Sequence, residues 1–452
     1  MANRLLPIAL FALLTLSAVA PIRSYDLGWH LATGWWIVDH QALPATDPFG
    51  VASDRKPWIN GEWLFEVPLP LALSVVGFEG FSVLRALFIG GLFTLIYLRI
   101  RRAQEPHVAL LLVAIGFAGG AAMIDVRPSA AAALFVAVAL SMPKHRYAWI
   151  GYAVLTAVWI NVHPSALIAP AIALLMTRGA VAPVASALAL LVNPYGVKGI
   201  LAPLELTLFA SSGDFVNAEW LPSSPMLFPL LYIAVVLGFL ALVREKDVFR
   251  IVLFAMFAYL AMRHVRNQNL FFVAFPLLMP PVRVPRRVAY AAAAAAIAFI
   301  AITTDHRLGL PPERFPLEAV ARLRESRLMG NIYNPDQFGG YLIWSFYPAR
   351  RVLTDGRNEL YHTYIPEYAK ARLDSRAWQA LLRKYRIDLA VDEYRPPMSV
   401  VDARTGRQTE MDASLAYWPR KDWALLARDE AGMVFARRAA FTAEEIARWE
   451  LR

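Results

Sequence analysis

Apolar runs follow one another through the first two thirds of the chain, each near the length needed to cross a bilayer. They are Leu5–Ala20, Ser82–Leu98, His107–Ile124, Val126–Met142, Tyr147–Ile160, Ser165–Thr177, Ala180–Leu191, Met226–Val243, Ile251–Met262, Leu270–Val282 and Val288–Thr303. The first lies behind a single Arg4, but Ala18, Ala20 and Pro21 make a poor cleavage site. It reads as a retained first helix and not as a signal peptide. Ser165–Leu191 is an awkward hairpin of two short runs, and removing both halves leaves the polarity downstream unchanged. One further run, Trp63–Phe78, is apolar but holds Glu66, Pro68 and Pro70. It is expected to lie flat at the membrane interface.

After Thr303 the pattern changes. Glu318–Leu328, Phe338–Phe346 and Arg376–Tyr385 have helical periodicity. Asn331–Tyr333, Arg351–Thr354 and Ile387–Val391 read as extended, and Trp423–Ala427 with Met433–Ala436 reads as a closing hairpin across Asp429-Glu430-Ala431-Gly432. Such alternation predicts a small α/β domain. Charge density agrees: residues 306–452 carry 24 Lys/Arg and 20 Asp/Glu, against 21 and 15 over residues 1–305. The expected fold is therefore mainly α. A polytopic helical membrane domain of about eleven spans (1–305, with a first outer loop at 22–81) is followed by a soluble α/β domain (306–452).

The net charge of +10 points to nucleic acid only until the charges are placed. Most basic residues of the first part cap apolar runs, which is a topology signal and gives no reason to expect a nucleic-acid partner. With the N-terminus inside and Trp63–Phe78 not spanning, the inner ends hold 13 basic residues, grouped around Arg4, Arg99, Lys144, Arg178, Arg244 and Arg283. The short outer loops hold four: Arg127, Lys198, Arg263 and Arg266. Counting Trp63–Phe78 as a span inverts everything downstream and breaks the positive-inside rule. The expected location is the inner (plasma) membrane, multi-pass, with a cytoplasmic N-terminus and an extracytoplasmic C-terminal domain. The chain has no cysteine, which excludes thiolate catalysis, cysteine zinc sites and disulfides.

This topology gathers polar groups at the outer side: Asp26, His30, His40 and Asp47; Asp125 and Arg127; Asn161 and His163; Asn193 and Tyr195; Asp214 and Glu219; Arg263, His264 and Arg266. Ionisable groups near a membrane are costly and point to function, although the ordinary reading of any one is a loop residue or a cap. Asp26 opens a helix-like stretch. Asp26 and His30, at i and i+4, share one face, and Leu31, Trp35 and Val38 form an apolar stripe. Asp26 as a plain N-cap is the simpler alternative. Two ligands are too few to claim a metal site, so no metal ligand is assigned and a divalent ion stays open.

Several motifs carry a resemblance: Asp26-Leu27-Gly28-Trp29-His30-Leu31 with Gly34, Asp47-Pro48-Phe49, Pro57-Trp58-Ile59-Asn60-Gly61-Glu62-Trp63-Leu64, Arg127-Pro128, Asn161-Val162-His163, Asn193-Pro194-Tyr195-Gly196, Glu219-Trp220, Arg263-His264-Val265-Arg266, Gly339-Gly340-Tyr341-Leu342-Ile343-Trp344 and Asp355-Gly356-Arg357. Together they resemble the C-type (GT-C) superfamily of integral membrane glycosyltransferases, which includes protein O-mannosyltransferases and lipid A aminoarabinose transferases. Gly61 departs from it, since a His is expected before that Glu-Trp. The resemblance implies a polyprenyl-phosphate-linked sugar donor, an outer-face glycan, lipid or protein acceptor, and an Asp in the first outer loop as catalytic base. It also implies two interfacial helices framing the site, matched by Gly28–His40 and Trp63–Phe78.

Inverting transfer from a polyprenyl phosphate needs a carboxylate to take the acceptor's proton and cations to balance the departing phosphate. Asp26 is the expected base, with His30 and Asp47 beside it. Arg263, His264 and Arg127 are the phosphate candidates, with headgroup snorkelling as the plainer role for Arg263. Glu62, His163, Asn193, Tyr195 and Glu219 are candidates for substrate hydroxyls. The other classes are a transporter or flippase of a lipid-linked or small polar substrate and a non-catalytic assembly protein. A transporter needs ionisable groups at mid-membrane, and Arg85 is nearly the only charge inside an expected span.

Overall fold

The structure, a computed structural model, describes residues 2–210, 218–401 and 408–451. Asp214 lies outside the described residues. The chain is mainly helical, with a small mixed sheet near its C-terminus. It divides into two compact units, Met1–Ile22 with Ile59–Gly309, and Arg23–Trp58 with Leu310–Arg452. The segment Arg23–Trp58, read from the sequence as part of the first domain's outer loop, packs into the second unit.

In the first unit each apolar run forms a helix. Three are long and apolar enough to cross a membrane: Leu69–Ile100, Pro106–Met123 and Arg286–Thr303. Shorter apolar helices include Leu5–Ala18, Pro128–Ser141, Ala148–Trp159 and Pro164–Thr177. The core runs through Leu14, Phe93, Phe117, Trp159 and Phe271–Phe275. Gln268–Leu278 is buried on nearly every side, as a helix apolar all round must be. Val181–Ala189 has nine residues, and nine residues of α-helix rise only about 14 Å. That is roughly half of a ~30 Å hydrocarbon core. The stretch Trp63–Phe78 divides into a short helix, Trp63–Glu66, and the start of Leu69–Ile100. This long helix is broken at Gly77, whose φ of 68° and ψ of −178° fit glycine alone. Val197–Ala210 is a helix the apolar pattern did not single out, because Lys198, Pro203 and Glu205 interrupt it.

In the second unit, a four-stranded sheet runs in the order Asn331–Tyr333, Ile387–Glu393, Gly432–Arg437, Trp423–Arg428. The first pair is parallel and the others antiparallel. The expected extended stretch Arg351–Thr354 contributes only bridges, with Val352 paired to Ile332 and to Gly50. Val51 and Ala52 donate their backbone N–H to Val352 and Leu353 carbonyls at 2.8 and 3.2 Å. The segment Arg23–Trp58 thus continues the hydrogen-bonding of the sheet edge, and Phe49 and Trp58 are buried beside Val352, Leu353 and Tyr361. The helices Leu27–His40 and Asp336–Phe346 also pack on each other. Their approach depends on glycine, since a Cβ at Gly28 would lie 2.2 Å from the Gly340 carbonyl oxygen and one at Gly340 would lie 2.4 Å from that of Tyr25. The sequence reading did not include the helices Tyr364–Ala371 and Ala443–Trp449 or the ribbon Met398–Val401 with Gln408–Met411.

Candidate functional site

Four of the sequence motifs meet inside the second unit. Arg357 is its centre, a fully buried arginine whose guanidinium lies between two carboxylates. It bonds Asp355 twice, from Nε to Oδ1 at 2.8 Å and from Nη2 to Oδ2 at 2.6 Å. Its Nη1 sits 2.8 Å from Asp47 Oδ1, close enough for an ion pair although its N–H groups are not directed at that oxygen. Trp58, Phe49 and Trp29 surround it, with ring centroids 4.5, 5.2 and 5.7 Å from the guanidinium carbon. Burial opposes its charge, but Asp355 and Asp47 outweigh that and raise its pKa further, so the cation is permanent.

The two carboxylates are saturated with donors. Asp47 accepts from the backbone N–H of Phe49 and Gly50 at 3.1 and 2.9 Å and from the Ser53 hydroxyl. The Tyr361 hydroxyl donates to Asp355 at 2.7 Å. Burial, then Asp355 and Asp47, push that hydroxyl well above its ordinary value, so it remains a donor. Asp47, a catalytic candidate from the sequence, is thus 3% exposed and engaged on both oxygens by this network.

Asp26 differs from Asp47. It precedes the helix Leu27–His40 without capping it, for its side chain makes no cap hydrogen bond. The Trp29 indole N–H donates to Asp26 Oδ1 at 3.2 Å. The carboxylate also lies against the Asp355-Gly356-Arg357 turn: a Cβ on Gly356 would stand 2.4 Å from Asp26 Oδ1. Glycine there leaves room for the carboxylate. Asp26 is half-buried. His30 is 2% exposed, one helical turn on, with its ring 3.6 Å from that of Trp29. Three residues past Gly356, Glu359 is exposed. Sequence reasoning missed Tyr361 and Ser53, whose hydroxyls donate to Asp355 and Asp47 and which no local pattern marks.

The remaining candidates lie in the first unit and form two clusters. In one, the Asn60 amide donates to the fully buried Glu66 at 2.6 Å and its backbone N–H bonds the Tyr195 hydroxyl at 3.2 Å. The Glu62 N–H bonds the Asn60 side chain at 3.0 Å. The Trp63 indole donates to Asn161 at 2.8 Å, Asn161 reaches the Val192 carbonyl at 2.7 Å, and Asn193 accepts from the Tyr195 N–H at 2.8 Å. His163 Nδ1 lies 2.7 Å from the Ser165 hydroxyl. In the other cluster, Arg127 pairs with Glu219 at 2.5 Å. Burial opposes ionisation of Glu219, but Arg127 and Arg266 outweigh it and hold the carboxyl below its ordinary range. Arg266 stacks over Trp220 at 4.7 Å, and His264 Nδ1 lies 2.6 Å from the Trp220 carbonyl oxygen. Arg263 is exposed.

Among the described residues, no group of three or more His, Asp or Glu is gathered as a metal site. Comparison with known proteins adds no family, because no family model and no curated protein matches the chain.

Proposed function

We propose that the chain is an integral membrane glycosyltransferase of the GT-C type. It would move a sugar with inversion from a polyprenyl phosphate to a glycan, lipid or protein acceptor at the outer face of the plasma membrane. The observation that carries this reading is the state of Asp26. It is a half-buried carboxylate that accepts from the Trp29 indole N–H and is backed by a glycine. A general base needs that combination of fixed position and access. Asp26 takes the acceptor hydroxyl's proton as the oxygen attacks the anomeric carbon, and the phosphate leaves with the bonding electrons. Asp47 acts as a positioning residue through Arg357. Of the phosphate candidates, Arg263 is the most available, since Glu219 already neutralises Arg127. No resident metal is needed for these steps, though a divalent ion on the donor phosphate is compatible with them.

The topology proposed is N-terminus in and C-terminal region out, with Trp63–Phe78 along the surface and up to eleven crossings. What supports it is that contacts in the first unit join groups assigned to the same side. Trp63 with Asn161, Asn60 with Tyr195, Arg127 with Glu219, and His306 with Val19 are all outer pairs. Arg178 with Asp247, at 2.5 Å, is an inner one. Were Trp63–Phe78 a crossing, the Trp63–Asn161 bond would have to bridge ~30 Å of hydrocarbon. The short hairpin Pro164–Ala189 then counts as two crossings or none, with the same parity.

The test of the enzyme is Asp26→Asn, which keeps shape and removes basicity. Transfer from polyprenyl-phosphate sugars, followed by mass spectrometry of outer-face glycolipids and glycans, should fall by roughly 10²-fold or more with insertion intact. Near-normal turnover sinks the assignment. For the topology, alkaline phosphatase fused after Thr303 should be active, and a reporter that matures only in the cytosol should stay dark. The reverse pattern removes the shared outer face and the reading with it.

A further inference from the structure

We propose that a groove between the helices Leu69–Ile100 and Pro128–Ser141 holds one anionic glycerophospholipid, with an acyl chain between the helices and the headgroup on Arg99. The groove lies at the end of the first unit that the topology above makes cytoplasmic. The inference rests on that membrane reading and not on sugar transfer.

The ground is the pattern of residues that line the groove. Leu92, Leu95, Ile96 and Arg99 come from one helix, and Leu134, Ala137, Val138 and Ser141 from the other. Each set has the spacing i, i+3, i+4, i+7, which is one stripe along one helical face. A single helix, Pro106–Gly120, comes between the two in the chain and reverses its direction, so both stripes run the same way. Each passes from apolar residues to a polar one at the same end, Arg99 on one side and Ser141 on the other. A stripe of this spacing is about 10 Å long. The groove encloses about 160 Å³. Leu92, Ile96 and Ala137 are buried at its floor, and Leu95 and Val138 are exposed at its rim. An apolar cleft that is open along its length and ends in a cation suits an acyl chain with an acidic head.

The charges around that end select the headgroup. Arg99 is exposed. Arg101, Arg102, Lys144 and Arg146 follow on the two chain segments that leave the groove. The carboxylate on those segments, Glu105, lies 3.4 Å from His107. No other acidic residue occurs between Glu79 and Asp125, or between Asp125 and Glu205. Basic pockets between helices on the cytoplasmic side attract anionic lipid. A zwitterionic headgroup brings its own cation to the same place and gains less. Arg99 offers the phosphate a planar fork of donors, and Ser141 adds a hydroxyl. The sugar donor of the transfer reaction belongs at the opposite face, so the lipid held here is a different molecule.

The test is native mass spectrometry of the full-length protein released from nanodiscs made of phosphatidylethanolamine and phosphatidylglycerol in equal parts. The wild type should retain one phosphatidylglycerol in preference to phosphatidylethanolamine. Arg99→Gln should lower that preference by roughly fivefold, the worth of one basic residue at an anionic surface. Val138→Trp fills the groove without changing charge and should abolish retention. Arg102→Gln removes an exposed cation that does not line the groove and should change little. Equal losses in Arg99→Gln and Arg102→Gln overturn the site, because the basic end alone then attracts lipid. Equal retention of both headgroups overturns it, as does phosphatidylglycerol retained by Val138→Trp or a polyprenyl phosphate recovered in its place. Phosphatidylglycerol should also raise the Tm of the wild type more than that of Arg99→Gln, and equal rises count against the site. Lipid retention needs no turnover, so its failure leaves the glycosyltransferase reading standing, and a chain that transfers no sugar leaves the lipid site standing.

Discussion

Two arginines, one in each unit, hold ion pairs of opposite design. The Arg357 and Asp47 side chains are 1% and 0% exposed, and Asp355 adds a second carboxylate and two further hydrogen bonds. Arg127 and Glu219 form a single pair with side chains 15% and 41% exposed. Arg357 is held by two anions and an aromatic shell, so an incoming phosphate cannot displace its partners without unpacking Trp58 and Phe49. Glu219 keeps part of its carboxylate in water and is flanked by Arg266 as well as Arg127. The comparison separates an arginine enclosed by two carboxylates and aromatic rings from one that shares a single, partly hydrated carboxylate. Burial decides between them, because desolvation makes a lone buried charge intolerable and a lone surface charge cheap.

The comparison breaks most visibly at Arg357. Arg357→Met leaves two buried carboxylates without a counter-ion and should cost the second unit about 3–5 kcal/mol, read by thermal or denaturant unfolding. Pairing it with Asp47→Asn and Asp355→Asn should recover part of the loss, and equal stability of the single and triple variants would refute the charge argument. A smaller effect is expected where helices cross. Gly340→Val drives a side chain into the Tyr25 carbonyl, and overpacking of this kind costs about 1–3 kcal/mol. Gly61→Val, where a Cβ meets nothing within 4 Å, is the matched control and should be near neutral.

The smallest effect is expected at the exposed pair. Glu219→Gln should change stability by about 1 kcal/mol or less. The sign follows from the lowered carboxyl: its contribution is present above the ordinary value of 4.5 and disappears as pH falls through the folded value. The variant should therefore melt below the wild type at pH 7 and converge with it in acid. Donor binding should strengthen in Glu219→Gln if Arg127 serves phosphate, and stay unchanged if Arg263 serves it alone. That outcome sharpens the choice between the two cations.

The chain's hydrophobic pattern was enough to place nearly every helix of the first unit, because sustained apolar runs of this length, bounded by polar and turn residues, favour helix. It also placed the strands Asn331–Tyr333 and Ile387–Val391 and the closing hairpin of the second, whose period and turn residues are local, while the parallel pairing of those two strands came from the fold. Trp63–Glu66 and the break at Gly77 lie within the segment that prolines and Glu66 marked as irregular. The candidate site was legible only as a roll of motifs. Asp26 stood out and Asp47 stood beside it as a catalytic candidate, whereas Arg357 appeared only as part of a motif. Nothing local says that Arg357, about 310 residues from Asp47 in sequence, neutralises it.

Tertiary packing alone decided that Arg23–Trp58 folds with Leu310–Arg452, since the glycines that admit the helix crossing and the aromatics that enclose Arg357 come from both ends of the chain. It also set the surroundings of each carboxylate. Asp26, Asp47 and Asp355 carry the same functional group, and their burial and partners differ because of residues brought together across hundreds of positions. Periodicity is a property of neighbours along the chain, so the sequence by itself determined the helices and strands. Burial and ion pairing depend on neighbours in space, and only the folded chain supplies those.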